Sequence, residues 1–330
     1  MEAGVIMNNR ATWTVLGTGL LFLAGCSGGG GDDSPPVPLA TITTANAPAI
    51  ASSVMTAALD GGDLGSFAFG PIGTPVSSPK STRVYYSKVA EIQNEQIGAL
   101  LQHTQAVAMV PIGPESTPCT GGGTVTLSGN IANPATLGPN DTIAFDFASC
   151  VEDGTTTNGK FSMRVTSFSG DPASGVFSFG VTATITSLQI TVAGETATVN
   201  GSVSISISAA GSMLTTTVTS GSISVGDGGS THTLRDYSSV RTLTSQSFTL
   251  DVHGSLTSSD FSGTVNFATT ALLQGLGDGY AYTGQLLITG ANGATIKVVV
   301  LDSTLLRLEV DSNGDGVVDA TLDFSWDDLP

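Results

Sequence analysis

From Thr124 onward the chain alternates small hydroxylated residues with apolar ones at a period of two, as in Thr182-Ala183-Thr184-Ile185-Thr186, Val203-Ser204-Ile205-Ser206-Ile207-Ser208 and Thr217-Val218-Thr219. Successive side chains of an extended strand point to opposite faces. The pattern therefore dictates half-buried antiparallel strands with one dry face and one face clad in Ser and Thr. Turn signals punctuate these runs at Gly170-Asp171-Pro172, Asp227-Gly228-Gly229, Gly277-Asp278-Gly279 and Asn292-Gly293. The last sits between Gln285–Thr289 and Thr295–Val300 and predicts a hairpin. Roughly a dozen strands follow one another over about 200 residues, with no helical pattern between them to make parallel crossovers. No fixed period marks a solenoid or propeller.

Helical spacing is confined to the region upstream. Asn46 can cap a short helix with Pro48 in its first turn and a stripe of Ile50, Val54, Ala57 and Ala58, ended by Gly61-Gly62. After a loop over 61–81, a longer helix fits Val84 to Ala108, with Tyr85, Val89, Ile92, Leu100 and Val107 on one face. Val176 to Val192 has Gly180 as its single strong breaker and predicts an unusually long strand. A dozen strands spaced about 4.8 Å apart make a sheet some 55 Å wide, of which a helix covers about 10 Å. The dry face therefore demands curvature. The expected fold is mainly β: a large curved antiparallel sheet, as an open barrel or a two-layer sandwich, packed on one long N-terminal helix. The expected segments are 1–25 as a signal, 26–40 as a tether, 41–109 as helix and loop, and 110–330 as the β domain.

Composition removes several functions. The 330 residues hold 27 acids against ten bases, a formal net charge of -17. No Lys/Arg cluster occurs, so nucleic-acid binding is strongly disfavoured and charge-driven docking on anionic lipid is excluded. Charged residues make up 11% of the chain, and glycine is abundant at 42 residues. Average usage is about 25% charged, so this composition disfavours an ordinary helical enzyme. The low aromatic content and the hydroxyl-clad face oppose a membrane-spanning barrel.

Residues 1–25 read as an export signal. Arg10 supplies its positive region, and Thr12 to Ala24 is an apolar run of about 13 residues against the roughly 20 a spanning helix needs. Met7 makes a cleaner start than Met1, because Glu2 weakens the charged region. The run ends in Leu23-Ala24-Gly25-Cys26, which resembles the lipobox of bacterial lipoproteins. The resemblance implies cleavage before Cys26 and attachment of diacylglycerol to its thiol. Ser27, where an aspartate would retain the protein at the inner membrane, implies the outer membrane. Ser27 to Pro38 then forms a flexible Gly/Ser tether that stiffens into a proline stretch. Gly25-Cys26-Ser27-Gly28-Gly29 matches a serine-hydrolase pattern by accident, since it straddles the cleavage site and follows no strand. More broadly the chain resembles β-rich envelope lipoproteins with a lipobox, a Gly/Ser tether, a Cys-flanked β segment and a terminal Asp/Asn/Gly hairpin. That likeness brings no catalytic residues.

Two features carry local chemistry. Cys119 and Cys150 are the cysteines left after processing, and an oxidising envelope compartment allows them one disulfide. Asp311-Ser312-Asn313-Gly314-Asp315-Gly316-Val317-Val318-Asp319 resembles the core of a calcium loop. Hard cations take several oxygens. Alternate positions would supply Asp311, Asn313 and Asp315, Gly316 would let the Val317 carbonyl turn inward, and Asp319 would close the ring, with Asp323 as a sixth ligand. The twelfth position is Leu322 instead of a bidentate glutamate, and the flanks read as strands, so Ca²⁺ is expected in a hairpin loop and not in an EF-hand. The acidic alternative is a plain Asp/Gly turn without metal. Asp251, His253 and Ser255 fall on one strand face, but three residues on one strand stand side by side and do not converge on a substrate. His103 and His232 have no partner at metal-ligand spacing.

The expected function is that of a membrane-tethered envelope lipoprotein. Its role would be non-enzymatic, in binding or structure, and includes binding a lipid or other apolar ligand in the curved sheet. A calcium-stabilised adhesin or scaffold and an extracytoplasmic hydrolase of glycans or esters are the alternatives.

Overall fold

A computed structural model describes residues 37–63, 110–132, 138–152, 154–171, 174–227, 229–276 and 280–326. The signal segment, Cys26, most of the tether, the expected Val84–Ala108 helix and His103 lie outside the described residues. Among the described residues one α-helix, α1 (Ala47–Asp63), precedes fourteen strands. These are β1 (Val110–Pro118), β2 (Thr124–Ile131), β3 (Thr142–Glu152), β4 (Thr155–Asp171), β5 (Val176–Val192), β6 (Glu195–Ala210) and β7 (Met213–Asp227). They continue as β8 (Ser230–Leu243), β9 (Ser247–Ser258), β10 (Gly263–Leu276), β11 (Ala281–Thr289), β12 (Thr295–Val300), β13 (Leu305–Asp311) and β14 (Ala320–Ser325). All fourteen form one sheet in strict sequence order, every neighbouring pair antiparallel. β1 and β14 are its two edges, so the sheet is open and not a closed barrel. The strand over Val176–Val192 has the bounds that the sequence predicts, and the Asn292-Gly293 signal lies in the five-residue β11–β12 connection.

The alternation that predicts strands breaks within β3, β5, β7 and β8, whereas the buried positions of β6 and β9 keep one phase throughout. In β3 the buried positions run Ile143, Phe145, Phe147 and then Cys150; in β5, Val181, Ala183, Ile185 and then Leu188. Ladder registers slip at Phe147/Cys150, Asn158/Lys160, Ile185/Leu188 and Ser202/Ser204, a row across β3–β7, and again at Arg235/Ser238 between β8 and β9, whereas the β7–β8 ladder keeps its register. Each slip is a bulge, which bends its strand and sharpens the local twist. Two asparagines hold the row. The Ser149 N–H donates to Asn158 Oδ1 and the Ser187 N–H to Asn200 Oδ1, each at 2.7 Å. The glycine after each asparagine is left-handed, with φ 101° at Gly159 and 147° at Gly201. A Cβ on Gly159 would lie 2.2 Å from the Ser187 carbonyl oxygen. Asn-Gly usually announces a hairpin; here it bends the middle of a strand.

The bent sheet packs its dry face on α1, which touches β7, β8, β9, β12 and β13. Ile50, Ala51, Val54 and Ala58 are buried, and the Tyr237 hydroxyl on β8 donates to the Ala58 carbonyl at 2.9 Å. Asn46 stands before the helix, and its carbonyl accepts the Ile50 N–H at 3.0 Å. Its side chain turns backward, accepting the Thr43 N–H at 2.8 Å and donating to the Thr41 carbonyl at 2.9 Å. It therefore fixes the turn leading into α1 instead of capping the first helical amides.

The segment before α1 is threaded between β10 and the β11–β12 turn. The Ala40 N–H donates to the Thr264 carbonyl at 2.8 Å, and the Ala291 N–H donates to the Ala40 carbonyl at 2.8 Å. The slot exists because both walls are glycine. A Cβ would lie 2.7 Å from the Ala40 Cα at Gly263 and 2.5 Å from the Ala40 oxygen at Gly290. Gly290→Ala is expected to lower stability by about 2 kcal/mol, because neither backbone can give way. Gly221→Ala, where a Cβ meets nothing within 4 Å, should stay within about 0.5 kcal/mol of the parent. Urea unfolding of the two variants compares them, and equal midpoints would contradict the slot.

Candidate functional site

The terminal hairpin builds the acidic loop expected of the sequence. β13 and β14 pair from Leu305 with Ser325 to Val310 with Ala320, and the loop closes between them. Asp311, 7% exposed, organises it: Oδ1 accepts the Gly314 N–H at 2.7 Å and Oδ2 the Gly316 N–H at 2.8 Å. Asn313 Oδ1 accepts the Asp315 N–H and Asp315 Oδ1 the Val317 N–H, both at 2.8 Å. These nested turns need left-handed backbone at Gly314 and Gly316, φ 76° and 85°. Asp311, Asn313, Asp315 and Val317 are thus brought into one loop.

The outer two expected ligands are differently employed. Asp319 Oδ2 accepts the Ser312 N–H at 2.8 Å and the Ser312 hydroxyl at 2.5 Å, and these bonds hold its carboxyl below the usual carboxylate range. Asp323 lies three register steps into β14, about 10 Å from the loop, and takes Arg307 in a two-pronged ion pair at 2.8 and 3.0 Å. Its place in the ladder separates it from the other expected ligands. Among the described residues the carboxylates of Asp311, Asp315 and Asp319 do not close to within 4.8 Å of one another. The acid and sulfur atoms that do close are those of Cys119, Cys150 and Glu152, and there both sulfurs are joined to each other.

The Cys119–Cys150 disulfide, bridging residues 31 apart, ties the β1–β2 turn to the end of β3. Beside it Glu152 accepts the hydroxyl and the 2.9 Å N–H of Thr120, which lower its pKa.

His232 is the histidine whose neighbours were not legible in sequence. Pairing of β8 with β9 puts the Ser258 hydroxyl 3.1 Å from its Nδ1, and Asp260 Oδ2 lies 3.6 Å from its Nε2. Serine, histidine and aspartate in a chain have the form of a nucleophile, base and orienter. The exposures are reversed for that use: Ser258 is 2% exposed and His232 7%, whereas the Asp260 side chain is 46% exposed. The oxygen that would attack is the atom hidden from substrate, and the cluster serves to lock the β9–β10 turn to β8. Asp227 stands nearby; burial raises its pKa, countered by His232 and reinforced by the charges of Asp260 and Glu195. Asp251 accepts the Thr269 hydroxyl, while His253 faces solvent. Asp251, His253 and Ser255 pair with Val240, Ser238 and Arg235 in turn, so they stand side by side as their spacing predicts.

Comparison with protein-family models, with curated proteins and with solved structures finds no match to this chain.

Two outcomes follow from these groups. Opening the disulfide in a Cys119→Ser/Cys150→Ser variant should cost about 3 to 4 kcal/mol, read by urea unfolding with and without reductant. The raised pKa of Asp227 means its charged form opposes folding: the cost is present above the raised value and vanishes as the carboxyl protonates. Asp227→Asn is therefore expected to raise the melting temperature at pH 7 and to leave it unchanged near pH 3. A lower melting temperature at pH 7 would show that the attraction of His232 outweighs burial.

Proposed function

We propose that this chain is a non-enzymatic envelope lipoprotein, tethered by a lipidated Cys26 and presenting the outer face of its sheet to a partner. The observation that carries the reading is the division of the strands. The dry face is consumed by packing, with Ile190, Val225, Leu250, Val265 and Leu308 at 0% exposure, and the accessible face bears Ser and Thr in long rows. A carrier of acyl chains would need open apolar space inside the curve. Among the described residues α1 occupies that side of β7–β9, β12 and β13, which favours the outer face as the working surface. The disulfide fits an oxidising compartment outside the cytoplasm.

The tether is tested in cells. Cys26→Ser in the full chain should abolish palmitate labelling and move the protein from the membrane fraction to the soluble fraction with its disulfide intact. Unchanged labelling and membrane retention would overturn the reading.

The acidic loop supports calcium as a stabiliser of the terminal hairpin, because Asp311, Asn313 and Asp315 lie in one tight loop whose backbone N–H groups fix their side-chain oxygens. Millimolar CaCl₂ should raise the melting temperature over that in EDTA, and Asp311→Asn should remove the difference. Identical melts of the parent chain in calcium and EDTA would end the calcium reading.

A further inference from the structure

A groove of about 450 Å³ crosses the outer face of β2–β5. Cross-strand register explains its shape. Ser128, Ala144, Ser162 and Thr184 face one another in a single row, all small, and form the floor. One row toward the middle of the strands stands the Asp146–Lys160 ion pair, at 2.8 Å. One row the other way stand Thr142, Arg164 and Thr182. Rows on one face lie about 7 Å apart along the strands, so long side chains on either side of a short row leave a trough. The floor and the Arg164 side together offer hydroxyls from Ser128, Thr142, Ser162, Thr182 and Thr184.

Arg164 is the informative residue. The chain has 27 acids for ten Lys and Arg, and Lys160, Lys297 and Arg307 each hold a carboxylate. Arg164 pairs with no carboxylate among the described residues. Its Nη2 donates to the neutral Asn140 Oδ1 at 2.5 Å, which fixes the guanidinium at the groove and leaves its charge unbalanced. A planar fork of donors is matched by a planar oxyanion, and carboxylate is the commonest. A field of hydroxyls, each donor and acceptor, is matched by a ligand that is itself polyhydroxylated. The volume falls within the usual range for small-molecule sites, roughly 300 to 1,000 Å³.

We propose that this groove binds a short acidic saccharide, a uronate whose carboxylate sits on Arg164 and whose hydroxyls meet the Ser/Thr floor. A single cation in a chain of net charge -17 selects a short, singly anchored ligand over a long polyanion. The inference deepens the reading of the outer face as a binding surface. It is independent of the tether, so fractionation of Cys26→Ser and ligand binding can fail separately.

The test is titration of the Cys26→Ser full chain with digalacturonate, followed by amide NMR shifts and calorimetry. Saturable shifts are expected at 128–129, 142–144, 162–166 and 182–184. Arg164→Gln should weaken binding about tenfold, the loss of one charge-assisted contact. Neutral digalactose should bind at least as weakly to the parent. Ala144→Leu, which raises the floor, should abolish the shifts without altering the melting temperature. No saturation by digalacturonate, equal affinity for digalactose, or indifference to Arg164→Gln would each overturn the proposal. Saturation of the same shifts by acetate at equal concentration would also overturn it, because the site would then read a bare carboxylate and not a sugar.

Discussion

Everything in this molecule follows from the need to hide one face of a very wide sheet. Fourteen strands in one antiparallel layer expose far more apolar surface than a single helix of ordinary length can cover. A flat sheet of that size would be insoluble on one side. The chain meets the demand by bending: bulges across β3–β7 and between β8 and β9 bend the long strands, and β7–β9, β12 and β13 pack on α1. The bulges cost ladder hydrogen bonds at each slip. Asn158 and Asn200 recover two of them by accepting the Ser149 and Ser187 N–H groups that a bulge would otherwise orphan.

The outer face is shaped by the same decision. Because the inner residues are fixed in phase by burial, every residue of opposite phase is committed to solvent, and Ser and Thr supply soluble, low-entropy cover. Where one cross-strand row happens to be short, as at Ser128, Ala144, Ser162 and Thr184, the cover becomes concave. There a surface rich in hydroxyls acquires depth beside a cation, Arg164, that no carboxylate among the described residues balances.

How much of this was legible in the chain depends on the range of the interaction. Period-two alternation, the long Val176–Val192 strand, the Asn292-Gly293 hairpin, α1 and the Cys119–Cys150 bridge depend on neighbours in sequence or on simple elimination, and each is present, though α1 runs through the expected Gly61-Gly62 stop to Asp63. The bulge row was not legible, because Asn158-Gly159 and Asn200-Gly201 carry the same letters as a hairpin turn and only the partner strand decides between them. The steps from Phe147 to Cys150 and from Ile185 to Leu188, three residues instead of two, were the available signal. The Ser258, His232 and Asp260 cluster depended on the β8–β9 register, and Asp323 was drawn away from the acidic loop by Arg307 across the ladder. Both are cross-strand facts that spacing along the chain does not encode.

The order of the strands also sets an order of assembly. Each strand's partner is its neighbour in sequence, so the sheet can be zipped hairpin by hairpin as the chain emerges, with little loop entropy lost at each step. Helix α1 breaks that rule. Synthesised before any strand, it finds no surface until β7–β9 exist, and the slot that grips Ala40 is incomplete until Gly290 and Ala291 arrive. The oldest segment of the body is therefore the last to dock. A chain cut short before β12 lacks the turn that closes the Ala40 slot and two of the strands that seat α1, so an unfinished molecule leaves that apolar helix only partly covered.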